Sequence, residues 1–189
     1  MMGKTKAGLL YPPKEESIVK LLVVVDMQND FVSGTLGTKE AVDIVPYVVG
    51  KVVEAVNAGD AIVFTQDTHG ANYMNTQEGK NLPVPHCIKG SEGWSIIPQL
   101  REYTQGRTCL EKPTFGSTAL AHFATQGGYD AIELVGLCTD ICVISNAMLL
   151  KAALPETPIS VDSACCAGVT PASHANALEA MKMCQITVK

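Results

Sequence analysis

The sequence predicts an α/β fold, a three-layer α/β/α domain with a central, mostly parallel sheet. Near-continuous aliphatic runs at 18–25, 61–65 and 131–137 are typical of strands buried on both faces. Segments with helical spacing of apolar residues lie between these runs. Strands that alternate with helices form parallel sheets with right-handed crossovers, and this alternation predicts the fold class.

The first half of the chain contains two of the aliphatic runs and a long loop. Residues 18–25 predict the first strand, and valines three and four apart predict one helix over 41–58, closed by Gly59. Residues 61–65 predict the second strand. The stretch 67–94 is rich in Gly, Pro and Asn and contains two histidines. A loop of this length inside a compact domain is usually functional.

The second half of the chain continues the alternation. Ser117 is a candidate N-cap, and Pro171 is suited to the first turn of a helix. The predicted strands cover 107–110, 131–137, 158–162 and 184–188, and the predicted helices cover 117–125, 139 or 140 to about 153, and 171–183.

The bulk composition favours a single domain with a well-buried core. The chain has 189 residues, of which 47% are apolar and 17% charged, so it can bury a sizeable core. We expect one domain over 1–189, with 1–15 as a loose N-terminal arm. A net charge of −5 without a basic cluster disfavours nucleic acid and anionic membranes as partners. The apolar runs are too short to span a bilayer, so we expect a cytoplasmic protein.

The seven cysteines predict reduced thiols rather than a disulfide framework. Their number is odd, and no export signal precedes them. Most are expected to be small core residues. The cysteines are Cys87, Cys109, Cys138, Cys142, Cys165, Cys166 and Cys184.

Three reactive side chains stand at predicted strand ends. Asp26 ends the first aliphatic run, Lys112 follows another strand, and Cys142 lies near the start of the helix after 131–137. Parallel strands bring such ends into one crevice, where an acid, an ammonium and a thiol would form an activated nucleophile. The free N–H groups of the helix start and the lysine are expected to lower the thiol pKa. Taken singly, the same residues suit a turn, a surface lysine and a core cysteine.

A second group of polar residues lies in the long loop. Asp67, His69, Glu78 and His86 offer two imidazoles and two carboxylates, which suit a divalent transition metal. The alternative is that these side chains only cap and tie the loop by hydrogen bonds.

Three spaced motifs carry a resemblance to a known family. They are VVDMQNDF at 24–31, KPTFGS at 112–117 and GLCTDICV at 136–143. Together they resemble the isochorismatase-like cysteine hydrolase superfamily, which includes the nicotinamidases, over roughly residue 20 to the C-terminus. The resemblance implies the isochorismatase-like hydrolase fold and a catalytic triad of Asp26, Lys112 and Cys142.

The resemblance also implies the surroundings of the nucleophile. The backbone N–H groups of Cys138 and Cys142 would form an oxyanion hole. The peptide bond between Leu137 and Cys138 is expected to be cis. Phe31 and Leu137 are expected to line the substrate pocket, and Trp94 is a further candidate wall.

The loop resembles the metal site of nicotinamidases. Asp67 and His69 match an Asp-x-His pair, His86 matches a later Pro-x-His, and Glu78 is a candidate fourth ligand. Zinc is the expected ion, with iron and manganese as alternatives, and in that group the metal holds the pyridine nitrogen of nicotinamide.

The resulting prediction is a cysteine-dependent amidohydrolase that cleaves a small carboxamide to an acid and ammonia. Nicotinamide is the leading substrate, with a place in NAD salvage, and a homo-oligomer is expected. One alternative is a metal-independent amidase of a carbamoyl or ureido compound. The other is a non-catalytic, metal- or redox-responsive binding protein that uses the thiols.

Overall fold

A single sheet of six parallel strands organises the protein. The computed structural model describes residues 18–189, so the arm predicted over 1–15 lies outside the described residues. The strands run in the order β3-β2-β1-β4-β5-β6, and every adjacent pair is parallel. They are β1 (Lys20–Val25), β2 (Ala61–Asp67), β3 (Thr108–Lys112), β4 (Ala131–Leu137), β5 (Ile159–Ala167) and β6 (Thr187–Val188).

Helices and helical turns join the strands. The α-helices are α1 (Asn29–Val32), α2 (Lys39–Asp43), α3 (Val45–Ala58), α4 (Gln77–Asn81), α5 (Pro98–Arg101), α6 (Thr118–Gly127), α7 (Ile144–Ala153) and α8 (Pro171–Met183). Short 3₁₀ turns cover Tyr73–Asn75 and Glu102–Thr104, and one π-helical turn covers Thr139–Val143. None of the helices in residues 18–189 combines the length and the hydrophobicity needed to cross a membrane.

The alternation of side chains along β1 creates the three layers. Leu22 and Val24 belong to a buried apolar cluster that includes the inner face of α3. Leu21, Val23 and Val25 point the other way, into a cluster built with α6, α7 and α8. Because β1 is buried on both faces, it reads as a continuous apolar run in the sequence. The predicted three-layer α/β/α fold is therefore confirmed.

The helix predicted over 41–58 is in fact two helices. α2 ends at Asp43, and α3 begins at Val45 with Pro46 in its first turn. Proline has no N–H to donate to the preceding turn but is tolerated in the first turn of a helix, so α2 cannot continue through Pro46 and a new helix starts here. The Pro98–Arg101 helix and the turn after it were absent from the sequence prediction.

Strand ends also differ from the prediction. β5 continues to Ala167, five residues beyond the predicted end, whereas β6 is reduced to Thr187–Val188. The backbone explains the short last strand, because the N–H groups of Cys184 and Ile186 donate to the Met181 carbonyl at the end of α8. Those residues complete the helix terminus instead of pairing with the sheet.

The strand order places a crevice beside the carboxyl ends of β1 and β4. The connections leave β1 in one direction through β2 and β3, and in the other through β4 to β6, which makes this a topological switch point. Gly136 lets the two strands approach here, because a Cβ on it would lie 2.1 Å from the Val25 carbonyl oxygen. Asp26 follows β1 and Cys138 follows β4, so both enter the same crevice.

Candidate active site and metal-binding cluster

Asp26 is fixed at the bottom of the crevice by its backbone and by Thr65. It is fully buried and has a φ of 47°, which Asp tolerates better than most residues. Its N–H donates to the Thr65 carbonyl at 3.2 Å, and the Thr65 hydroxyl donates to Asp26 Oδ1 at 2.7 Å. The second carboxylate oxygen, Oδ2, is left to face the other reactive groups.

Lys112 joins the reactive groups. Its side chain is 1% exposed, and Nζ lies 2.6 Å from Asp26 Oδ2 and 3.4 Å from Cys142 Sγ. Nζ also donates to the Thr114 carbonyl at 3.1 Å and lies 3.5 Å from Asp67 Oδ1. Although burial opposes the charge, the two carboxylates and Cys142 raise the pKa of Lys112 well above its ordinary value, so it is a permanent ammonium.

Cys142 lies in the π-helical turn that follows β4. The predicted helix start at Thr139 is correct, but its first turn is wider than an α-helix. Cys142 is buried, and its backbone carbonyl accepts a hydrogen bond of 2.8 Å from Asn146 Nδ2. The structure thus brings Asp26, Lys112 and Cys142 together as the motifs predict.

The thiol pKa differs from the sequence-based expectation. Complete burial, together with the neighbouring Asp26, raises the pKa of Cys142 well above its ordinary value, although Lys112 acts in the opposite direction. The expected lowering by a helix start is therefore wrong for the resting protein. Burial also raises the pKa of Asp26 against the attraction of Lys112, which makes it a better proton acceptor. A neutral thiol next to a basic carboxylate is suited to proton transfer during attack.

The oxyanion hole remains a prediction. The peptide bond between Leu137 and Cys138 is cis, as expected. The Cys138 carbonyl accepts from the N–H groups of Ile141 and Val143, at 3.1 and 3.0 Å. Cys138 and Cys142 both line the same small cavity.

The predicted metal ligands also converge. One ligand atom from each of Asp67, His69, Glu78 and His86 lies within 4.8 Å of all the others. Asp67 Oδ2 is 2.9 Å from His69 Nε2 and 3.5 Å from His86 Nε2. Glu78 Oε1 is 3.6 Å from both imidazole nitrogens. This geometry favours the metal-site interpretation over loop capping.

The donor set fits a divalent transition metal. His69 Nε2 is a buried nitrogen without a hydrogen-bond partner among the described residues, and it points at the other ligand atoms. His86 Nδ1 lies 2.8 Å from the Val84 carbonyl, a contact that holds the proton on Nδ1 and leaves Nε2 free to bind an ion. Two imidazoles and two carboxylates in a buried pocket are suited to zinc, iron or manganese.

Aromatic packing holds the two imidazoles in place. The Tyr73 ring centroid lies 4.8 Å from that of His69 and 5.0 Å from that of His86. Phe31 packs on the other side of His86, with its centroid 5.6 Å away. Tyr73 therefore supports the cluster, a role that sequence reasoning missed because an isolated tyrosine in a loop has no distinctive pattern.

Asp67 connects the predicted metal ligands, which we call the metal cluster (Asp67, His69, Glu78 and His86), to the triad. Its Oδ2 faces the two histidines, while its Oδ1 faces Lys112. Burial would raise its pKa, but the adjacent imidazoles of His69 and His86 and the charge of Lys112 lower it well below its ordinary value. Asp67 is consequently a permanent anion shared by both groups.

The cavity at the nucleophile has partly different walls from those predicted. Phe31 lines it, as expected, together with Leu36, Leu82, Phe115 and Ile141. Leu137 instead lines an adjoining cavity. Trp94 is not among the described lining residues of either cavity, because its indole N–H donates to Thr68 Oγ1 and its carbonyl accepts from Gln28.

Gln28 is a buried clamp that the sequence analysis did not single out. Its Oε1 accepts from the Asp67 N–H at 2.7 Å, and its Nε2 donates to the Asp67 carbonyl at 2.9 Å and to the Trp94 carbonyl at 2.8 Å. The side chain is fully buried. Gln28 thereby fixes the backbone of Asp67, the residue that faces both the triad and the other predicted metal ligands. A polar amide directly after a buried strand was the available signal.

Replacing Gln28 is expected to loosen the metal site. Gln28→Met keeps the volume but leaves the Asp67 N–H and carbonyl unpaired, at a cost of roughly 2–3 kcal/mol in unfolding free energy. We expect zinc affinity, measured by competition with a chromophoric chelator, to fall about 10–100-fold. Gln66→Met is the matched control, because within residues 18–189 the Gln66 side-chain amide donates to the Trp94 carbonyl and makes no hydrogen bond to Asp67. Equal loss of zinc affinity in both variants would contradict the clamp.

Comparison with known proteins gives several related hydrolases. The nicotinamidase/pyrazinamidase of Mycobacterium tuberculosis is 27% identical over 183 residues, which cover 89% of this chain and 97% of the relative. The structure of a nicotinamidase/pyrazinamidase from Bacillus subtilis superposes with a TM-score of 0.79 at 26% identity, covering 90% of this chain and 99% of that one. A pyrazinamidase from Pyrococcus horikoshii, solved in complex with zinc, gives 0.76 at 26% identity, covering 90% and 98%.

A family model spans nearly all of the described residues. The model of the isochorismatase domain matches residues 20–189, from the first residue of β1 to the last residue of the chain. That range includes the triad, the metal cluster and both cavities. On this evidence, the chain belongs to the isochorismatase family.

Proposed function

We propose that the protein is a cysteine-dependent amidohydrolase that converts nicotinamide, or a closely similar heteroaromatic carboxamide, to the acid and ammonia. The observation that carries the proposal is the position of Lys112 Nζ, 2.6 Å from Asp26 Oδ2 and 3.4 Å from Cys142 Sγ, beside a buried group of metal ligands. The activities named for the Mycobacterium and Bacillus relatives support the same chemistry.

In the first step, Cys142 Sγ attacks the carboxamide carbon and its proton passes to Asp26. The raised pKa of both groups favours a thiol that gives up its proton only as the C–S bond forms. Lys112 remains charged and balances the negative charge that moves between sulfur and carboxylate. Backbone N–H groups of Cys138 and Cys142 would hold the oxyanion.

In the second step, the C–N bond breaks and Asp26 returns the proton to the leaving nitrogen, which departs as ammonia. A thioester on Cys142 remains. Water then enters, Asp26 removes one of its protons as the water oxygen bonds to the thioester carbon, and the C–S bond breaks to release the acid. The proton on Asp26 finally returns to Cys142, so the cycle consumes one water for each amide.

The metal would contribute to substrate binding. When bound by Asp67, His69, Glu78 and His86, a divalent ion supplies a Lewis acid for the ring nitrogen of the substrate. Zinc is the proposed ion, because the donor set fits it and because the Pyrococcus neighbour was solved in complex with zinc. On this proposal the protein acts in NAD salvage in the cytoplasm, and we expect a homo-oligomer.

The test is ammonia release from nicotinamide by purified protein supplemented with zinc. We expect release that depends on Cys142, with nicotinate as the other product. No release above that of Cys142→Ala would reject nicotinamide as the substrate. The non-catalytic binding-protein alternative predicts that no amide at all is hydrolysed.

Removal of the metal separates the proposal from its closest alternative. Dialysis against a strong chelator, verified by metal analysis, is expected to reduce nicotinamide turnover at least about 100-fold, because the ring loses its anchor. Added zinc should restore the rate. Activity that survives complete chelation would instead favour a metal-independent amidase of a carbamoyl or ureido compound.

A further inference from the structure

The cavity at the nucleophile adjoins a larger apolar cavity. The first, next to Cys142, has a volume of about 50 Å³ and is lined by the metal ligands Asp67, Glu78 and His86 as well as by apolar residues. The second, which we call the apolar chamber, has a volume of about 260 Å³. The two share five lining residues, which are Phe31, Leu36, Leu82, Cys138 and Ile141.

The chamber is chemically different from the reactive crevice. Its remaining walls come from α2, the end of β4 and the loop after β5, namely Thr38, Ala41, Leu137, Gly168 and Val169. Only Thr38 has a polar side chain among these described residues, and its hydroxyl is engaged as the N-cap of α2 by the Ala41 N–H. Among the described lining residues the chamber therefore presents mostly hydrocarbon, with the Thr38 hydroxyl and the Cys138 thiol as its polar side-chain groups, and suits an apolar substituent.

The volumes decide where a substrate can lie. A dry cavity of roughly 150 Å³ is sufficient to bind benzene, so a six-membered ring does not fit in about 50 Å³. An amide that presents its carbonyl to Cys142 and its ring nitrogen to the metal ligands is larger than this small cavity. It must extend beyond it, along the residues that line both cavities. Its far side then enters the apolar chamber, where space remains beyond the ring.

We propose that the apolar chamber is a specificity subsite, and that the preferred substrates are heteroaromatic carboxamides carrying an apolar substituent on the ring. This inference rests on the proposed function. Val169 lines the chamber and is 52% exposed, so we take it as the outer end of the chamber, where a longer substituent would reach solvent. Unsubstituted nicotinamide would leave most of the chamber empty.

The test is a series of nicotinamides with hydrogen, methyl, ethyl or propyl at ring carbon 5. That position lies away from both the carboxamide and the ring nitrogen. With zinc-supplemented protein, kcat/KM is expected to rise about fourfold for each added CH₂ until the chamber is full. A kcat/KM that stays level or falls along the series would overturn the subsite.

Two surface variants locate the effect in the chamber. Val169→Trp places a large ring at its outer end, and the ratio of kcat/KM for the propyl analogue to that for nicotinamide is expected to fall at least tenfold. Val56→Trp is the matched control, since Val56 is also partly exposed but lies near the end of α3, outside the chamber lining. An equal fall of the ratio in both variants would contradict the assignment.

Binding to Cys142→Ala distinguishes a failure of the subsite from a failure of the proposed chemistry. We expect calorimetry to give tighter binding of the propyl analogue than of nicotinamide to this variant, independently of turnover. That preference in a protein whose wild type hydrolyses no amide would support the subsite and reject the amidohydrolase. Turnover of nicotinamide without any preference for the analogue, in binding or in kcat/KM, would reject the subsite alone.

Discussion

Cys142→Ala is expected to reduce hydrolysis of nicotinamide by at least about 10⁴-fold while leaving the protein folded. In the proposed mechanism the Cys142 sulfur attacks the carbonyl, and among the side chains lining the small cavity the other thiol belongs to Cys138. Loss of a single buried sulfur leaves a small cavity and costs about 1 kcal/mol or less in unfolding free energy. Ammonia release and the unfolding midpoint are the two measurements.

Cys138→Ala is the control for this experiment. Cys138 lines the same cavity, but its side chain has no role in the proposed steps, because only its backbone N–H is used. Turnover in this variant should stay within about tenfold of wild type, since the loss is confined to packing at the pocket wall. Retained turnover in Cys142→Ala, or equal losses in both variants, would contradict the assignment of Cys142 as the nucleophile.

The sequence predicts the sheet well because buried parallel strands have a simple signature. β1 and β4 are near-continuous aliphatic runs, and the bounds predicted for β4 agree with the structure. The break between α2 and α3 was missed because the valine spacing continues across it, whereas Pro46 ends the hydrogen bonding. Hydrophobic spacing reports which face is buried, and it is insensitive to a single interruption of the backbone.

The sequence predicts that Asp26, Lys112 and Cys142 come together, but it does not predict most of the residues that hold them in place by hydrogen bonds. Asp26, Lys112 and Cys142 stand out because charged or reactive groups end apolar strands. Asn146 does not stand out, although its amide bonds the carbonyls of Cys142 and Phe115 and its oxygen accepts from the Ser117 N–H. The contacts with Phe115 and Ser117 join residues about 30 positions apart, and short-range patterns contain no information about them.

The pKa of the Cys142 thiol is another property that short-range sequence patterns do not determine. The helix start and Lys112 are visible in the sequence, and both act to lower it. Burial and the nearby Asp26 act in the opposite direction and are stronger. How completely a site is buried depends on how the loops close over it, so the direction of the shift required the structure.

Lys112→Met is expected to destabilise the fold as well as abolish turnover. Methionine approximates the length of the lysine stem but removes the charge that lies 2.6 Å from the fully buried Asp26. An uncompensated buried carboxylate typically costs 3–5 kcal/mol. Asp67 loses one neighbour too, but it keeps its contacts with His69 and His86. The Asp26 carboxylate keeps the hydrogen bond from the Thr65 hydroxyl but loses its neighbouring positive charge.

The loss of unfolding free energy in Lys112→Met, relative to wild type, should depend on pH in a defined direction. The pKa of Asp26 is raised by burial and lowered by Lys112, so removing the lysine raises it further. In folded Lys112→Met, Asp26 then keeps its proton to a higher pH. In the unfolded chain Asp26 releases this proton near its ordinary pKa of 3.8. Stability from this proton is present below that value and is lost as the pH rises through the native pKa. The difference from wild type should therefore be large at pH 7.5 and shrink towards pH 4.5.

Urea unfolding at the two pH values, always as a difference from wild type, measures this effect. Lys51→Met is a control at a partly exposed ion pair with Asp162, where we expect a loss of about 1 kcal/mol or less. Adding Asp26→Asn to Lys112→Met removes the unpaired charge and should recover most of the stability, although the double variant stays inactive. A penalty that is equal at both pH values, or a double variant as unstable as Lys112→Met, would mean that the Lys112 ammonium does not stabilise a buried Asp26 carboxylate.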